Sequence, residues 1–364
     1  MRVISLTADG YRNLSVPVLR PTEGVNIFYG DNAQGKTNLL EAVWLFTGGR
    51  SFRGAKDREL VGFSRTEARL SLRFFAENRE QQAAITVAGR RQAELNGIPQ
   101  RTPAALAGHF CAVVFSPAHL TLVKDGPEAR RRFIDAAYCP LRPAYVRTMT
   151  EYARALAQRN ALLRSGHADA ALLAPWDEQV AALGARVTAA RRAYVRRLAP
   201  AASAVYRGLS GDREELSVGY DSPLPEADTA TVAAALHDAL TARRADDLAA
   251  GFTTCGPHRD DLSLAINGLS ARCFGSQGQQ RSVVLALKLA EAAILHEVTG
   301  EPPVVLLDDV MSELDPSRQD YILNHLTGWQ VFITCCDPAA IVRSTGGAAF
   351  KVSAGTVESG EGSL

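Results

Sequence analysis

This chain of 364 residues is predicted to be an α/β protein whose sheet-forming domain is split in sequence by a mostly helical insertion. Three observations predict it. An apolar run, GVNIFYG, leads through a glycine-bearing turn into a helical stretch over residues 24–45. Strand-like segments concentrate in residues 1–117 and again from residue 252. Between them, residues 126–208 are rich in Ala and Arg, nearly free of Gly, and show little β character. With 46% hydrophobic residues, the chain has ample material for a packed core.

Taken in order, RVISLTADGYRNLSVPVL and GVNIFYG read as two strands. DNAQGKTNLLEAVWLFTG then turns helical, with Leu39, Leu40, Val43, Trp44 and Leu45 as its apolar positions. Residues 67–98 alternate like a β-meander, with Asn96-Gly97 as a hairpin dipeptide. FCAVVFSP is a buried strand ended by Pro117. Residues 126–208 read as two or three long helices. Pro175 and Asp177 suit a helix start, and Val180, Leu183, Val187, Tyr194 and Leu198 follow on one face. LSVGY is a further strand, and TATVAAALHDALTARRADDLAAG a helix closed by Gly251. The expected division is therefore a head formed by residues 1–122 and 251–364, with residues 123–250 as the inserted lobe. The polar tail ESGEGSL is expected to fray.

Several classes are disfavoured. The opening MRVISLTADGYRNL lacks the apolar run of a secretory signal, and no apolar stretch reaches membrane-spanning length, so a soluble, cytoplasmic protein without a membrane partner is expected. The six Cys (Cys111, Cys139, Cys255, Cys273, Cys335 and Cys336) form no CxxC pair and suit small buried residues in a reducing compartment rather than a zinc site. A net charge of +1 lends no support to a nucleic-acid binder, so any such surface must come from local segregation of charge.

Residues 30–37, GDNAQGKT, match G-x-x-x-x-G-K-[ST]. Gly30 and Gly35 let the backbone of Asp31, Asn32, Ala33 and Gln34 curl so that amides point at phosphates, and the following helix adds its N-terminal partial charge. Lys36 reaches the β- and γ-phosphates of ATP, and Thr37 offers its hydroxyl to Mg²⁺. The context, an apolar strand before and an amphipathic helix after, is the one this loop requires.

A second apolar strand, VVLLDD over residues 304–309, ends in two carboxylates. Asp308 is placed to hold Mg²⁺ and Asp309 to orient or deprotonate a water, so Lys36, Asp308 and Asp309 form the candidate catalytic set. Ser312, Glu313, Leu314 and Asp315 follow as SELD, which resembles the D-loop of ABC-type ATPases, although Asp315-Pro316 equally suits a plain helix start. Upstream, Ser276, Gln277, Gly278 and Gln279 stand at the mouth of an apolar helix. SQGQ alone also suits an ordinary capped helix. Its order relative to VVLLDD and SELD resembles the ABC signature, in which hydroxyl, amide and helix N-terminus hold the γ-phosphate of ATP on a second protomer.

Beyond these motifs, YRNL, GRSFRGAKDREL, FSPAHLTLVKDGPEARRRFID and GPHRDD occur in an order that resembles the RecF family of bacterial recombination and repair proteins, in the ABC/SMC-like ATPase group. The resemblance spans nearly the whole chain. It implies an ABC-type ATPase head, a mixed sheet with flanking helices and an antiparallel β subdomain, carrying a helical second lobe. It also implies an ATP-dependent homodimer that clamps double-stranded DNA near single-strand gaps. Weak, DNA-dependent ATP hydrolysis would act as its switch, and RecR and RecO would join it in helping RecA to load.

Two departures stand out. ABC and SMC heads generally carry Glu where Asp309 stands, which predicts slow hydrolysis. VFITCC ends in Cys336 and Asp337 where many ABC proteins place a phosphate-sensing His. Candidate DNA contacts are Arg130, Arg131 and Arg132, and Arg191, Arg192, Arg196 and Arg197 with Arg186 on a helix; any one of these also suits a solvated face or an internal ion pair. The competing readings are a soluble ATPase subunit of an ABC transporter, which should carry SGGQ, a catalytic Glu and a His switch, and a P-loop metabolic kinase, which should act as a monomer.

Overall fold

The computed structural model describes residues 1–165 and 169–359, so residues 360–364 of the predicted tail lie outside the described residues. The chain divides into two compact units. The first holds Met1–Leu120, Gly208–Gly211 and the chain from Val284 onward; the second holds Thr121–Arg207 and Asp212–Val283.

In chain order the first unit contributes β1 (Arg2–Tyr11), β2 (Leu14–Leu19), β3 (Val25–Tyr29), α1 (Lys36–Leu45), β4 (Ala68–Ala76), β5 (Arg79–Ala88), β6 (Arg90–Leu95), β7 (Ile98–Gln100) and β8 (Ala112–Phe115). The second unit holds α2 (Thr121–Lys124), α3 (Pro127–Tyr138), α4 (Ala144–Ser165), most of α5 (Ala170–Ser210), β9 (Leu216–Asp221), α6 (Thr229–Ala242), α7 (Arg244–Ala250), β10 (Asp261–Ile266), β11 (Leu269–Ser270), α8 (Ala271–Phe274) and the start of α9 (Gln277–Thr299). The first unit resumes with the rest of α9, then β12 (Val304–Asp308), α10 (Pro316–His325), β13 (Val331–Cys335), α11 (Ala339–Thr345), β14 (Ala348–Ser353) and β15 (Thr356–Ser359).

Two six-stranded sheets build the first unit. One has the order β2-β1-β4-β5-β6-β7 and is antiparallel throughout. Its strands alternate buried and open positions, as β4 does along ARLSLRFFA, which fits a sheet with one covered face. The other has the order β15-β14-β3-β13-β12-β8, parallel except at the β15 edge. Its central strands β12 and β13 are buried at every residue, as apolar runs covered on both faces must be. Helix α1 touches β1 of the first sheet and β8, β12 and β13 of the second. It is therefore buried nearly all round, beyond the single apolar face read from sequence.

The structure refines several sequence expectations. RVISLTADGYRNLSVPVL is not one strand but a hairpin, turning at Arg12 (φ 50°) so that Tyr11 pairs with Leu14. Asn96 and Gly97 both take positive φ and close β6 on β7, as that dipeptide predicts. Asp177 starts no helix: α5 runs on from Ala170 through Pro175, and Asp177 is buried against the Arg159 and Arg244 guanidiniums at 2.6 and 2.9 Å. The helix ending at Gly251 is two, α6 and α7, and Gly251 takes the left-handed conformation that ends the second. The boundary expected at residue 251 falls inside the second unit. There, β10 pairs along its whole length with β9, in a three-stranded sheet ordered β11-β10-β9. Arg130 also grips Asp261 through both of its oxygens. The core of this unit gathers Tyr152, Val180, Val187, Leu236 and Leu240.

Candidate functional site

Strand β3 ends at Tyr29, and α1 begins at Lys36 after a loop that few side chains would tolerate. Gly30 has φ 151°, and a Cβ there would lie 2.3 Å from the Val352 carbonyl oxygen. Gly35 has φ 113°, and its Cβ would meet the Asn13 amide at 3.0 Å. Ala33, between them, is left-handed at φ 66°. This curled backbone makes a concavity of the kind that presents amides to an anion. Over it the Lys36 ammonium donates to the carbonyls of Gly30 at 2.5 Å and Asp31 at 2.9 Å. A nearly buried cation held by two neutral carbonyls and the Cys336 thiol is matched to an incoming anionic group.

The far side of the loop is braced by residues distant in sequence. The Gly355 amide donates to the Gln34 carbonyl (2.9 Å), and the Ala354 amide to the Gln34 side chain (2.6 Å). Asn13 donates to the same Gln34 carbonyl at 3.2 Å and accepts from Asn38 at 2.8 Å. The β1–β2 turn and the β14–β15 turn thus clamp the loop.

Thr37 and the end of β12 complete the floor. The Thr37 hydroxyl donates to Asp308 Oδ1 at 2.8 Å, and the buried Thr334 hydroxyl donates to the same oxygen at 3.0 Å. Burial raises the Asp308 carboxyl above its ordinary range, and these two hydroxyls partly offset that. Asp309 takes φ 53°, a left-handed conformation uncommon outside glycine, so its side chain departs from the strand's alternation. Its amide donates to Thr334 Oγ1 at 2.9 Å, and its carboxylate accepts from Ser312 at 3.1 Å. One hydroxyl, Thr334, therefore fixes both acidic residues. Cys336 lies beside the loop, 3.8 Å from the Lys36 ammonium and 3.4 Å from the Asn32 side-chain oxygen.

These residues fit a triphosphate and its cation. The glycine cradle and Lys36 suit phosphate oxygens, and Thr37 with Asp308 offers two hard oxygen ligands. No cluster of three or more His, Cys, Asp or Glu suited to a metal occurs among the described residues. Such a site matches Mg²⁺, which keeps waters and phosphate oxygens in its shell and uses few protein ligands.

SQGQ forms a reciprocal cap. The Ser276 hydroxyl accepts from the Gln279 amide at 3.2 Å, the Gln279 side chain accepts from the Ser276 amide at 2.8 Å, and Ser276 is exposed. Gln277 opens α9, and the Ser282 hydroxyl donates to the Gly278 carbonyl at 3.1 Å. In SELD, Leu314 is buried while Asp315 caps α10, accepting from the Arg318 amide at 3.1 Å. Hydrogen bonding from Ser317 leads the lowering of the Asp315 carboxyl pKa. Glu313 belongs to the short 3₁₀ turn Met311–Glu313.

The basic candidates divide. Arg130, Arg191 and Arg192 are buried and are corrected as surface contacts. Arg130 pairs with Asp261 at 2.7 and 2.8 Å, and Arg191 with Asp135 at 2.8 Å through two nitrogens. Arg192 donates to the Leu224 and Pro225 carbonyls, both at 2.5 Å. A guanidinium buried and committed this way inside the fold is not presented to a phosphate at the surface. Arg131 is half-buried and donates to the Asp260 carbonyl at 2.7 Å. Arg132, Arg186, Arg196 and Arg197 are exposed, with Arg132 paired to Glu128.

Sequence reading missed Asn13, Thr334 and the turn at Ala354-Gly355. Asn13 lies inside the YRNL motif, whereas nothing local marks the other two.

A family model described as an AAA domain matches residues 5–106. The chain is similar to the DNA replication and repair protein RecF of Heliobacterium modesticaldum, with 45% identity over 89% of this chain and 88% of the relative. It is similar to RecF of Symbiobacterium thermophilum at 41% identity, over 98% of both. Among solved structures it resembles the recombination mediator protein RecF with ATP, of the RecFOR pathway, with a TM-score of 0.92 and 36% identity over 99% of this chain and 97% of that one. An SMC head bound to the winged-helix domain of ScpA aligns with a TM-score of 0.59 at 15% identity, over 100% of this chain and 98% of that one, and so shares the fold.

Proposed function

The chain belongs to the RecF family of DNA replication and repair proteins, and from that premise we propose that it is an ATP-controlled clamp on duplex DNA near single-strand gaps. The observation that carries the ATP site is the pair of contacts at its centre: Lys36 folded over the Gly30 and Asp31 carbonyls, and Thr37 bonded to Asp308. On binding ATP, Lys36 exchanges those carbonyls for β- and γ-phosphate oxygens, while Thr37 and Asp308 hold Mg²⁺. Asp309 orients the attacking water and Thr334 holds Asp308 and Asp309 in place. Asp309 is one methylene shorter than Glu, so hydrolysis is slow and serves as a timer, well below the roughly 10 s⁻¹ median of enzymes. DNA accelerates it.

The site is completed by a second copy. Ser276, Gln277, Gly278 and Gln279, at the exposed mouth of α9, close on the γ-phosphate held by the partner, with SELD lining the same contact. The dimer binds double-stranded and gapped DNA without reading sequence and acts with RecR and RecO to promote RecA loading in the cytoplasm. Among the described residues no helix is long and apolar enough to cross a membrane.

Sedimentation with and without ATP tests this. Wild type should pair only with ATP. Lys36→Met should stay single through lost or misplaced nucleotide. Ser276→Arg should bind nucleotide yet stay single, and a Ser276→Arg protein that pairs normally overturns the two-sided site.

A further inference from the structure

With Arg130, Arg191 and Arg192 committed inside the second unit, a further group of exposed basic residues lies in the first unit, on and beside the GRSFRGAKDREL segment. The segment leaves α1 and is fastened to it. Ser51 donates to the fully buried Glu41 carboxylate and accepts the amides of Arg53 and Ala55, both at 3.2 Å. Trp44 Nε1 donates to the Arg50 carbonyl at 2.9 Å, and the Trp44 ring stands edge-on to Phe52 at 6.5 Å. Arg53 donates to Asn38 at 2.9 Å.

One arginine from the meander then draws three stretches of chain together. Arg91 donates to the Gly49 carbonyl at 2.6 Å, its Nε lies 2.9 Å from the Asp57 carboxylate, and its own amide donates to Asp57 at 3.0 Å. The chain neighbours of these contacts are Arg50, Lys56, Arg58 and Arg90, and all four are exposed. None of the four forms an ion pair among the described residues. The acids of the segment are already engaged, Asp57 by Arg91 and Glu59 by the Lys56 amide at 3.0 Å. Of these two, Glu59 alone leaves its charge unpaired, so the patch is positive overall on a backbone fixed before any partner arrives.

Unpaired cations on a rigid, solvent-facing frame match a partner carrying a regular row of anions. We infer that Arg50, Lys56, Arg58 and Arg90 form a track for the phosphate backbone of duplex DNA. This inference rests on the DNA-binding reading above and adds where on the first unit the duplex lies. The four residues touch phosphates only, so the contact is blind to sequence and weakens with salt.

The test is a salt titration of gapped-duplex affinity, with ATP, for wild type and the full-length variant Arg50→Gln/Lys56→Gln/Arg58→Gln/Arg90→Gln. ATP binding and unfolding midpoint serve as controls, which exposed substitutions should leave unchanged. If each residue neutralises one phosphate, the slope of log K against log salt should fall by about 3 to 4. An unchanged slope overturns the track, and loss of slope in Arg186→Gln/Arg196→Gln/Arg197→Gln instead would place DNA on α5. Equal affinity of wild type for polyglutamate also overturns it, since the site would then accept any polyanion. Wild type that binds no duplex at low salt sinks the underlying DNA reading itself.

Discussion

Replacing Thr334 by Val removes one hydroxyl and little else, because the side chain is 1% exposed and its methyl packing survives. Two hydrogen bonds go with it, to Asp308 Oδ1 at 3.0 Å and from the Asp309 amide at 2.9 Å. The first joins a carboxylate and is worth about 1.5–3 kcal/mol; the second leaves a part-buried amide unpaired at a cost of about 1 kcal/mol. Asp308 keeps Thr37, so part of this is recovered. Asp309 has no such substitute for its amide, and its left-handed backbone then relaxes more readily. If about 1.5–3 kcal/mol reaches the transition state, single-turnover ATP hydrolysis falls about ten- to hundredfold. Nucleotide affinity, set mainly by the loop and Lys36, should change less than about threefold, since these bonds lie outside the phosphate cradle. Asp308 loses a bond that holds its pKa down, so the pH of half-maximal hydrolysis should also rise. Thr334→Ser restores the hydroxyl and should return turnover to near wild type. A Val variant that hydrolyses ATP like wild type, with the same pH profile, refutes the positioning role.

Two further outcomes are expected. Arg159→Met leaves the fully buried Asp247 carboxylate, 2.6 Å from that guanidinium, with only the Thr254 amide and hydroxyl, and leaves Asp177 with Arg244 alone, so it should lower stability by about 3–5 kcal/mol. An unchanged urea midpoint would show that the network contributes nothing. His258 donates from Nε2 to the Thr253 carbonyl (3.0 Å) and accepts the Tyr152 hydroxyl at Nδ1 (2.7 Å), and burial pushes its pKa down to about 4 from 6.5. A depressed folded value means that its contribution is complete above pH 6.5 and is lost as pH falls toward 4. The residue is partly solvent-exposed, so the loss by pH 5 is discounted to about 1 kcal/mol. Urea unfolding across this range should show the decline in wild type and a flatter profile in His258→Gln; identical profiles would contradict the assignment.

The sequence by itself determined the local elements and the parts of the site that are contiguous. GDNAQGKT, after an apolar strand and before a helix, specifies its curled loop because glycine is needed at Gly30 and Gly35 for backbone reasons legible in place. VVLLDD and the 67–98 meander are likewise written in apolar runs and period-two alternation. The tertiary structure alone decided which charges are free. Arg130 and Asp261 are 131 positions apart, and Arg191 and Asp135 are 56, so no window of sequence distinguishes these buried pairs from a basic surface. The same holds for Asp177, which looks like a helix start but is held by Arg159, and for Thr334, which meets Asp308 only because β12 and β13 are adjacent. Backbone propensity acts within a few residues, whereas pairing a buried charge depends on which distant partner the fold brings within about 3 Å.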